Sequence, residues 1–146
     1  MNSIHAVAGI SVLVLNALAA GWGAQAWLRR EPSVPFWYLL RAAQGTVIGQ
    51  VLIGFFLLAR GSEPPDGLHV VYGISPLVIT LVTEAMRAGA AQRELADVGD
   101  PDALERREQI LLARRIVLRE MGVMTIGLLL IVTLALRAAA TSGGLP

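Results

Sequence analysis

The sequence predicts an all-α integral membrane protein, a bundle of four membrane-spanning helices. Two observations carry this prediction. Hydrophobic residues make up 55% of the 146 residues and charged residues only 16%, with a mean hydropathy of +0.62, which is too apolar for a soluble domain of this length. In addition, four apolar segments each approach the roughly 20 residues that cross a bilayer. These segments are residues 4–28, 36–59, 68–86 and 116–136.

The spans occupy most of the chain, which leaves one long connection, a predicted cytoplasmic loop at residues 87–115. We therefore expect a single domain, residues 1–146, without a separate water-soluble enzyme module. The sequence has no cysteine, which excludes disulfides, thiolate metal sites and cysteine nucleophiles. It also has no residue pattern for hydrolysis, group transfer or nucleic-acid recognition. Nucleic acid is therefore not an expected partner, and enzymatic activity stays undecided.

The distribution of basic residues predicts the orientation in the membrane. All twelve are arginines. Arg29 and Arg30 follow the first span, and a larger group lies between or beside the third and fourth. That group is Arg87, Arg93, Arg106, Arg107, Arg114 and Arg115. The positive-inside rule places the loops after spans one and three in the cytoplasm and both termini outside. The first segment lacks the basic start of a signal peptide and is longer than its apolar core, so we interpret it as a span.

The first hairpin places small and polar residues among apolar ones. Span one carries a stripe of such residues, which favours close approach of a neighbouring helix or a flat ligand. The stripe consists of His5, Gly9, Asn16, Ala20 and Gly23. Trp27 lies toward the cytoplasmic interface, and Pro32 and Pro35 predict a tight reversal into span two. In span two, Gln44 and Gln50 are expected to bond across to other helices, with Asn16 and Thr80 as candidate partners.

The second hairpin begins after residues 61–67, a turn rich in glycine and proline. Span three carries the longest small and polar stripe of the chain, formed by His69, Gly73, Pro76, Thr80, Thr83 and Arg87. Pro76 removes one backbone hydrogen bond and predicts a kink. A break at residues 99–101 separates two helical extensions, the second of which continues into span four. The charges of this segment are of both signs, which is typical of a solvated face, with partner docking as the alternative.

The chain has only two histidines, and each opens an apolar segment in a similar stretch. The stretches are His5-Ala6-Val7-Ala8-Gly9 and His69-Val70-Val71-Tyr72-Gly73. Spans two and four also begin alike, with Leu40-Arg41 and Leu118-Arg119. These similarities predict either a parallel repeat of two hairpins, related by an axis along the membrane normal, or a chance likeness of Ala- and Gly-rich spans. In a repeat, the two histidines would face each other on the outer side of the bundle.

Two imidazoles from two helices are the ligand set of a six-coordinate haem. The residues assigned to this site are His5, His69, Gly9, Gly73, Tyr72, Arg60 and Arg137. The glycines leave room for a flat macrocycle, the arginines can meet propionates, and the tyrosine can bond to a propionate or to the first histidine. The alternatives are a bare metal site and two interfacial side chains without a ligand. Two histidines are too few for a closed tetrahedral zinc site.

In its span number and histidine placement, the chain resembles the small four-helix b-type cytochromes of bacterial inner membranes. The resemblance implies haem b, electron transfer, and either a redox partner or a place in a larger respiratory complex or homo-oligomer within the inner membrane. The chain departs from two-haem members because it has no second histidine pair on the cytoplasmic side. The alternative function is a cofactor-free accessory or assembly subunit. A transporter fits less well, because only Pro76 interrupts a span.

A second group of candidate residues lies near the cytoplasmic ends of spans two to four. It consists of Arg41, Glu84, Arg119 and Glu120. Two acids and two bases at similar depth are expected to pair with one another, because pairing offsets the cost of burying each charge alone. A quinone head-group site, or a proton relay through the two glutamates, is the functional alternative.

Overall fold

The computed structural model describes residues 2–64 and 67–141, with the side chains of residues 2 and 141 outside that description. It contains four α-helices: α1 (Asn2–Leu28), α2 (Val34–Ala59), α3 (Gly67–Ala96) and α4 (Arg106–Thr141). A short 3-10 turn, Pro101–Ala103, lies between the last two. The all-α four-helix prediction is confirmed. The middle of the predicted 61–67 turn and the end of the chain beyond residue 141 lie outside the described residues.

Each of the four helices is long and apolar enough to cross a membrane, which indicates a multi-pass membrane protein. The last two are longer than the predicted spans, because residues 87–96 and 106–115 continue them as helix. At 1.5 Å per residue, α3 and α4 extend over about 45 and 54 Å, against roughly 30 Å of hydrocarbon. Both are therefore longer than the hydrocarbon layer is thick, and only residues 97–105 form the connection between them.

The first two helices end in the same hydrogen-bonded motif but use different residues for it. At the end of α2, Gly61 has φ +81° and the amide of Ser62 donates to the carbonyl five residues earlier at 3.0 Å. At the end of α1, Arg30 has φ +56° and the amide of Glu31 makes the equivalent bond at 2.9 Å. The left-handed position of this motif favours glycine, because a side chain there meets the backbone. Arg30 is therefore in a conformation that arginine seldom adopts.

The start of α2 is capped and tied to α1 by one serine. Ser33 has extended backbone, and its hydroxyl accepts the amide of Phe36 at 3.4 Å. The same hydroxyl accepts the indole N–H of Trp22 at 2.9 Å. Pro35 lies in the first turn of the helix, where its missing N–H costs no hydrogen bond. The predicted reversal is thus present, and the helix begins two residues earlier than the predicted span.

The predicted break at residues 99–101 is present between α3 and α4. Gly99 has φ +75°, and Asp100 caps the following 3-10 turn by accepting the amide of Asp102 at 3.0 Å. Pro76, in contrast, lies inside α3, and the helix continues through it. The hydroxyl of Thr80 donates to the Pro76 carbonyl at 2.8 Å. Hence α3 is one helix from Gly67 to Ala96.

The helices surround a core built mainly from α1, α2 and α4. The first helix packs against α2 and α4, and α3 packs most closely against α4, while the seam between α2 and α3 is sparser. This arrangement places α1 and α3 across the bundle from each other. The buried core residues form two clusters: Ala19, Ala20, Phe36, Leu40, Ala43, Met121, Met124 and Leu128 in one, and Val12, Val47 and Ile131 in the other.

Packing differs strongly between the two ends of the bundle. We call the end that holds His5 and His69 the histidine end, and the end that holds Arg30 and Arg115 the arginine-rich end. Among the described side chains at the histidine end, residues 3–11, 52–59, 67–75 and 132–140, none is fully buried. All of the core clusters lie further toward the arginine-rich end. The histidine end is therefore loosely filled.

Candidate functional site

The two histidines meet across the bundle. His5 comes from α1 and His69 from α3, the two helices that lie diagonally opposite each other. Their ring centroids are 5.9 Å apart and their planes form an angle of 56°. Both side chains are half-buried rather than turned out toward lipid. The structure therefore brings together the pair that the sequence analysis singled out.

A polar side chain from α2 contacts this pair. The Nε2 atom of Gln50 lies 3.3 Å from Nε2 of His5. A Cβ at Gly54 would be 3.7 Å from the same imidazole, and a Cβ at Gly9 would be 3.3 Å from the Gln50 amide. The two glycines thus allow α1 and α2 to approach around the His5–Gln50 contact.

Gln44 and Gln50 were expected to bond across to other helices, and both do, Gln44 with Glu84 and Gln50 with His5. The candidate partners Asn16 and Thr80 were wrong. The Asn16 amide donates to the Val12 carbonyl at 2.7 Å, within its own helix, and Thr80 bonds within α3. Counting helical turns from the connection between α1 and α2 places Gln50 within about two turns of the level of His5. The count alone therefore does not identify the contact.

Open space and unsatisfied polar atoms surround the histidines. The Nδ1 atom of His5 and Oε1 of Gln50 are buried, and neither has a hydrogen-bond partner among the residues that the structure describes. A Cβ added to Gly73, one turn below His69, would meet no atom within 4 Å. The site therefore has open space next to His69, and His5 has a buried ring nitrogen without a hydrogen-bond partner among the described residues.

The remaining residues assigned to the histidine site lie at its periphery. Tyr72 is half-buried on α3. Arg60 follows α2, is exposed, and has its guanidinium 4.5 Å from the centre of the Phe56 ring. Arg137 is exposed on α4. Both arginines are at the histidine end, so they add positive charge there without closing over the rings.

At the other end, a network of ion pairs joins α2, α3 and α4. Glu84 accepts from Arg41 at 2.6 Å, from the Gln44 amide at 2.8 Å and from Arg87 at 2.8 Å. Arg41 also donates to Oε1 of the Gln44 side chain at 2.6 Å, and Arg87 lies 3.4 Å from Glu120. Every charged member has an opposite charge nearby, which favours the structural interpretation over a free proton relay.

The predicted pairing of these residues is only partly correct. Arg119 does not join the network, because it bonds to Glu94, a buried acid that also lies 3.7 Å from Arg115. The sequence analysis missed both Glu94 and the role of Arg87, which connects the two acids of the network. Arg87 follows Glu84 by three positions, a spacing at which helical side chains meet, and this spacing could have indicated it.

The histidine pair and the ion-pair network are separate sites. His69 and Glu84 are fifteen positions apart on α3, which corresponds to about 22 Å along a helix. Among the described residues, no group of three or more His, Cys, Asp or Glu side chains could hold a metal ion. Among the described His, Cys, Asp and Glu side chains, the histidine end therefore offers a metal only His5 and His69.

Fold and sites together define a multi-pass, four-helix membrane protein with one paired-histidine contact. No protein-family model, curated protein or solved structure matches the chain.

Proposed function

We propose that the protein binds one haem b between His5 and His69 and transfers electrons, either alone or as the haem-bearing small subunit of a respiratory or redox complex. One observation carries the proposal. The only two histidines of the chain, from opposite helices of the bundle, have ring centroids 5.9 Å apart. A six-coordinate haem takes one such imidazole on each face of the iron.

The separation of the two rings fits a shared metal ion. Metal–nitrogen bonds to imidazole are about 2.0–2.1 Å, and adding the distance from each nitrogen to its ring centre gives roughly 6 Å between centroids. In the tautomer that accepts the Gln50 amide N–H, Nε2 of His5 carries the lone pair that a metal needs. The contact is 3.3 Å, longer than a usual hydrogen bond, and a metal–nitrogen bond would readily replace it.

The surroundings of the rings also fit a large flat ligand. No described side chain at the histidine end is fully buried, and Gly73 faces open space. When bound, haem supplies one-electron redox chemistry that the side chains lack. His5 and His69 would hold it from opposite helices, and the apolar ends of the helices would exclude water. Arg60 and Arg137 supply the positive charge that stabilises propionates at this end.

The proposed location is the inner membrane of a bacterium, with both termini outside. The arginine-rich end faces the cytoplasm under the positive-inside rule, which puts the histidine pair near the outer leaflet. The opposite end carries a closed ion-pair network in place of a second histidine pair. An electron partner would therefore exchange with this haem from the outer side or within the outer half of the membrane.

A second candidate function is a cofactor-free accessory or assembly subunit. The observation that favours it is the His5–Gln50 contact, which gives one imidazole a protein partner. Together with the ion pairs at the other end, such contacts can serve helix packing alone. In that case, the open space at the histidine end would be filled by lipid or by a partner helix.

An absorbance spectrum distinguishes these functions. Protein purified in mild detergent from haem-replete cells is expected to show a Soret band that shifts on dithionite reduction, with one haem per chain. His5→Ala and His69→Ala should each abolish the band. Gly45→Ala, at an exposed position where a Cβ meets no atom, is the matched control and should keep it. A colourless wild-type protein that also fails to take up added haemin would refute the proposal.

A further inference from the structure

A surface pocket lies at the arginine-rich end, between the end of α1 and α4. It has a volume of about 240 Å³ and is lined by Trp27, Arg30, Arg115, Leu118 and Arg119. Three of the five lining side chains are cationic, and the other two are apolar. The pocket is separate from the histidine pair and contains no member of the Glu84 network.

The pocket carries more positive charge than Glu94, the acid paired with two of its arginines, can neutralise. Glu94 pairs with both Arg115 and Arg119, so three arginines and one glutamate leave two positive charges in excess. The carboxylate side chain is only 10% exposed, whereas the two arginine side chains are 66% and 58% exposed. Each guanidinium carries five N–H donors, so both keep donors for a further anion.

The third arginine is held in place at a conformational cost. Arg30 occupies the left-handed position that glycine fills in the matching motif at the end of α2. The guanidinium of Arg114 donates to the Arg30 carbonyl at 2.9 Å and so fixes this turn against α4. A residue in an unfavourable backbone conformation at a built pocket points to a role for its side chain.

The tryptophan marks the depth of the pocket in the membrane. A Cβ at Gly122 would lie 2.7 Å from the Trp27 ring, so the glycine allows the indole to lie directly against the backbone of α4. Tryptophan is enriched where the hydrocarbon meets the head groups. Trp27 therefore lies at the level of Gly122, further into the bundle along α4 than Arg115 and Arg119, and forms an apolar inner wall of the pocket.

We infer that this pocket binds the head group of an anionic phospholipid, with its phosphate among Arg30, Arg115 and Arg119 and its acyl chain against Leu118 and Trp27. Basic pockets between helices at the cytoplasmic side suit anionic lipid head groups, and single arginines near the surface strengthen such binding. The guanidinium fork also matches the geometry of a phosphate. A zwitterionic lipid offers the same phosphate, but its own cation would meet the arginines.

Native mass spectrometry in detergent tests the inference, with dioleoyl phosphatidylglycerol and dioleoyl phosphatidylcholine as the two probes. Wild-type protein should retain phosphatidylglycerol in preference to phosphatidylcholine. Arg30→Gly removes the guanidinium while relieving the backbone, so it should bind phosphatidylglycerol about fivefold more weakly without losing thermal stability. Arg107→Gln removes the same charge from an exposed position on α4 outside the pocket and should change binding less than twofold.

Two further experiments, a triple variant and competition by glycerol phosphate, distinguish the possible outcomes. If Arg30→Gly fails to fold, the triple variant of Glu94→Gln, Arg115→Gln and Arg119→Gln, which leaves no buried acid unpaired, should show the same loss. Equal retention of the two lipids by wild-type protein, or equal effects of Arg30→Gly and Arg107→Gln, would overturn the inference. Displacement of the lipid by an equal concentration of glycerol phosphate would overturn it as well, because the site would then recognise a soluble phosphoester.

Discussion

The contact between Gly127 on α4 and Thr83 on α3 offers a sharp test of the packing. A Cβ on Gly127 would lie 2.5 Å from Cγ2 of Thr83 and 3.1 Å from its Cβ and Oγ1. Thr83 cannot easily give way, because its hydroxyl donates to the Ile79 carbonyl at 2.8 Å and reaches the Thr80 carbonyl at 3.1 Å. Gly127→Ala should therefore force the two helices apart rather than rotate one side chain.

The expected magnitude is the balance of two opposing effects. Overpacking a well-filled contact costs about 1–3 kcal/mol. Replacing glycine by alanine within a helix contributes about 0.5–1 kcal/mol in the other direction. We therefore expect Gly127→Ala to lower the free energy of unfolding by about 1–2 kcal/mol, a five- to thirtyfold change in the unfolding equilibrium.

The assay is unfolding of the purified protein in mixed micelles by titration with sodium dodecyl sulfate, followed by circular dichroism. Gly45→Ala is the control, because its Cβ would meet no atom within 4 Å. It should be neutral or slightly stabilising. Thr83→Ala removes the Cγ2 atom and the hydroxyl, so combining it with Gly127→Ala should recover at least half of the loss. If Gly127→Ala is no worse than Gly45→Ala, or if the two α3–α4 substitutions simply add, the described contact is wrong.

Two other predictions concern the ion pairs of Glu94 and the open space at Gly73. Replacing Arg115 and Arg119 by glutamine leaves the Glu94 carboxylate, whose side chain is 10% exposed, without a cation. This should lower the free energy of unfolding by about 2–3 kcal/mol, less than for a fully buried pair because the two arginine positions are open to water. Glu94→Gln alone should cost less than about 1 kcal/mol, since exposed arginines are solvated, and the same unfolding titration should rank the two variants in this order. At the histidine end, Gly73→Phe should fill the open space and lower the haem content several-fold with little change in thermal stability, whereas Gly45→Phe should leave the haem content unchanged. Equal haem content in the two phenylalanine variants would contradict the assigned space.

The helices were predictable because membrane spans follow from length and hydropathy alone. The break at Gly99 and the reversal at Pro35 could also be predicted, since glycine and proline restrict the backbone locally. The meeting of His5 with His69 was expected from a repeated local pattern. Whether the hairpins are a true duplication stays a prediction. The ring order of the helices permits it, but the seam between α2 and α3 is sparser than that between α1 and α4.

The partners of long polar side chains were not predictable in the same way. Arg119 was expected to pair within the group of Arg41, Glu84 and Glu120. It bonds instead to Glu94, which lies twenty-five positions earlier on another helix. Which acid Arg119 contacts depends on how far α3 continues beyond its apolar span and on how α3 and α4 are rotated against each other. Neither quantity is encoded in the spacing of residues within one helix. Gln50 illustrates the same point, since its contact with His5 depends on the relative height of α1 and α2.

The continuity of α3 has a mechanical consequence. One rod of thirty residues carries His69 near its first turn and ends at Ala96, outside the hydrocarbon if the histidine end is immersed. Because the helix is continuous, a tilt of that rod would move the His69 imidazole and the 97–105 connection together. Pro76 is the only proline within this helix, and its missing backbone bond is the point at which bending would absorb such a tilt.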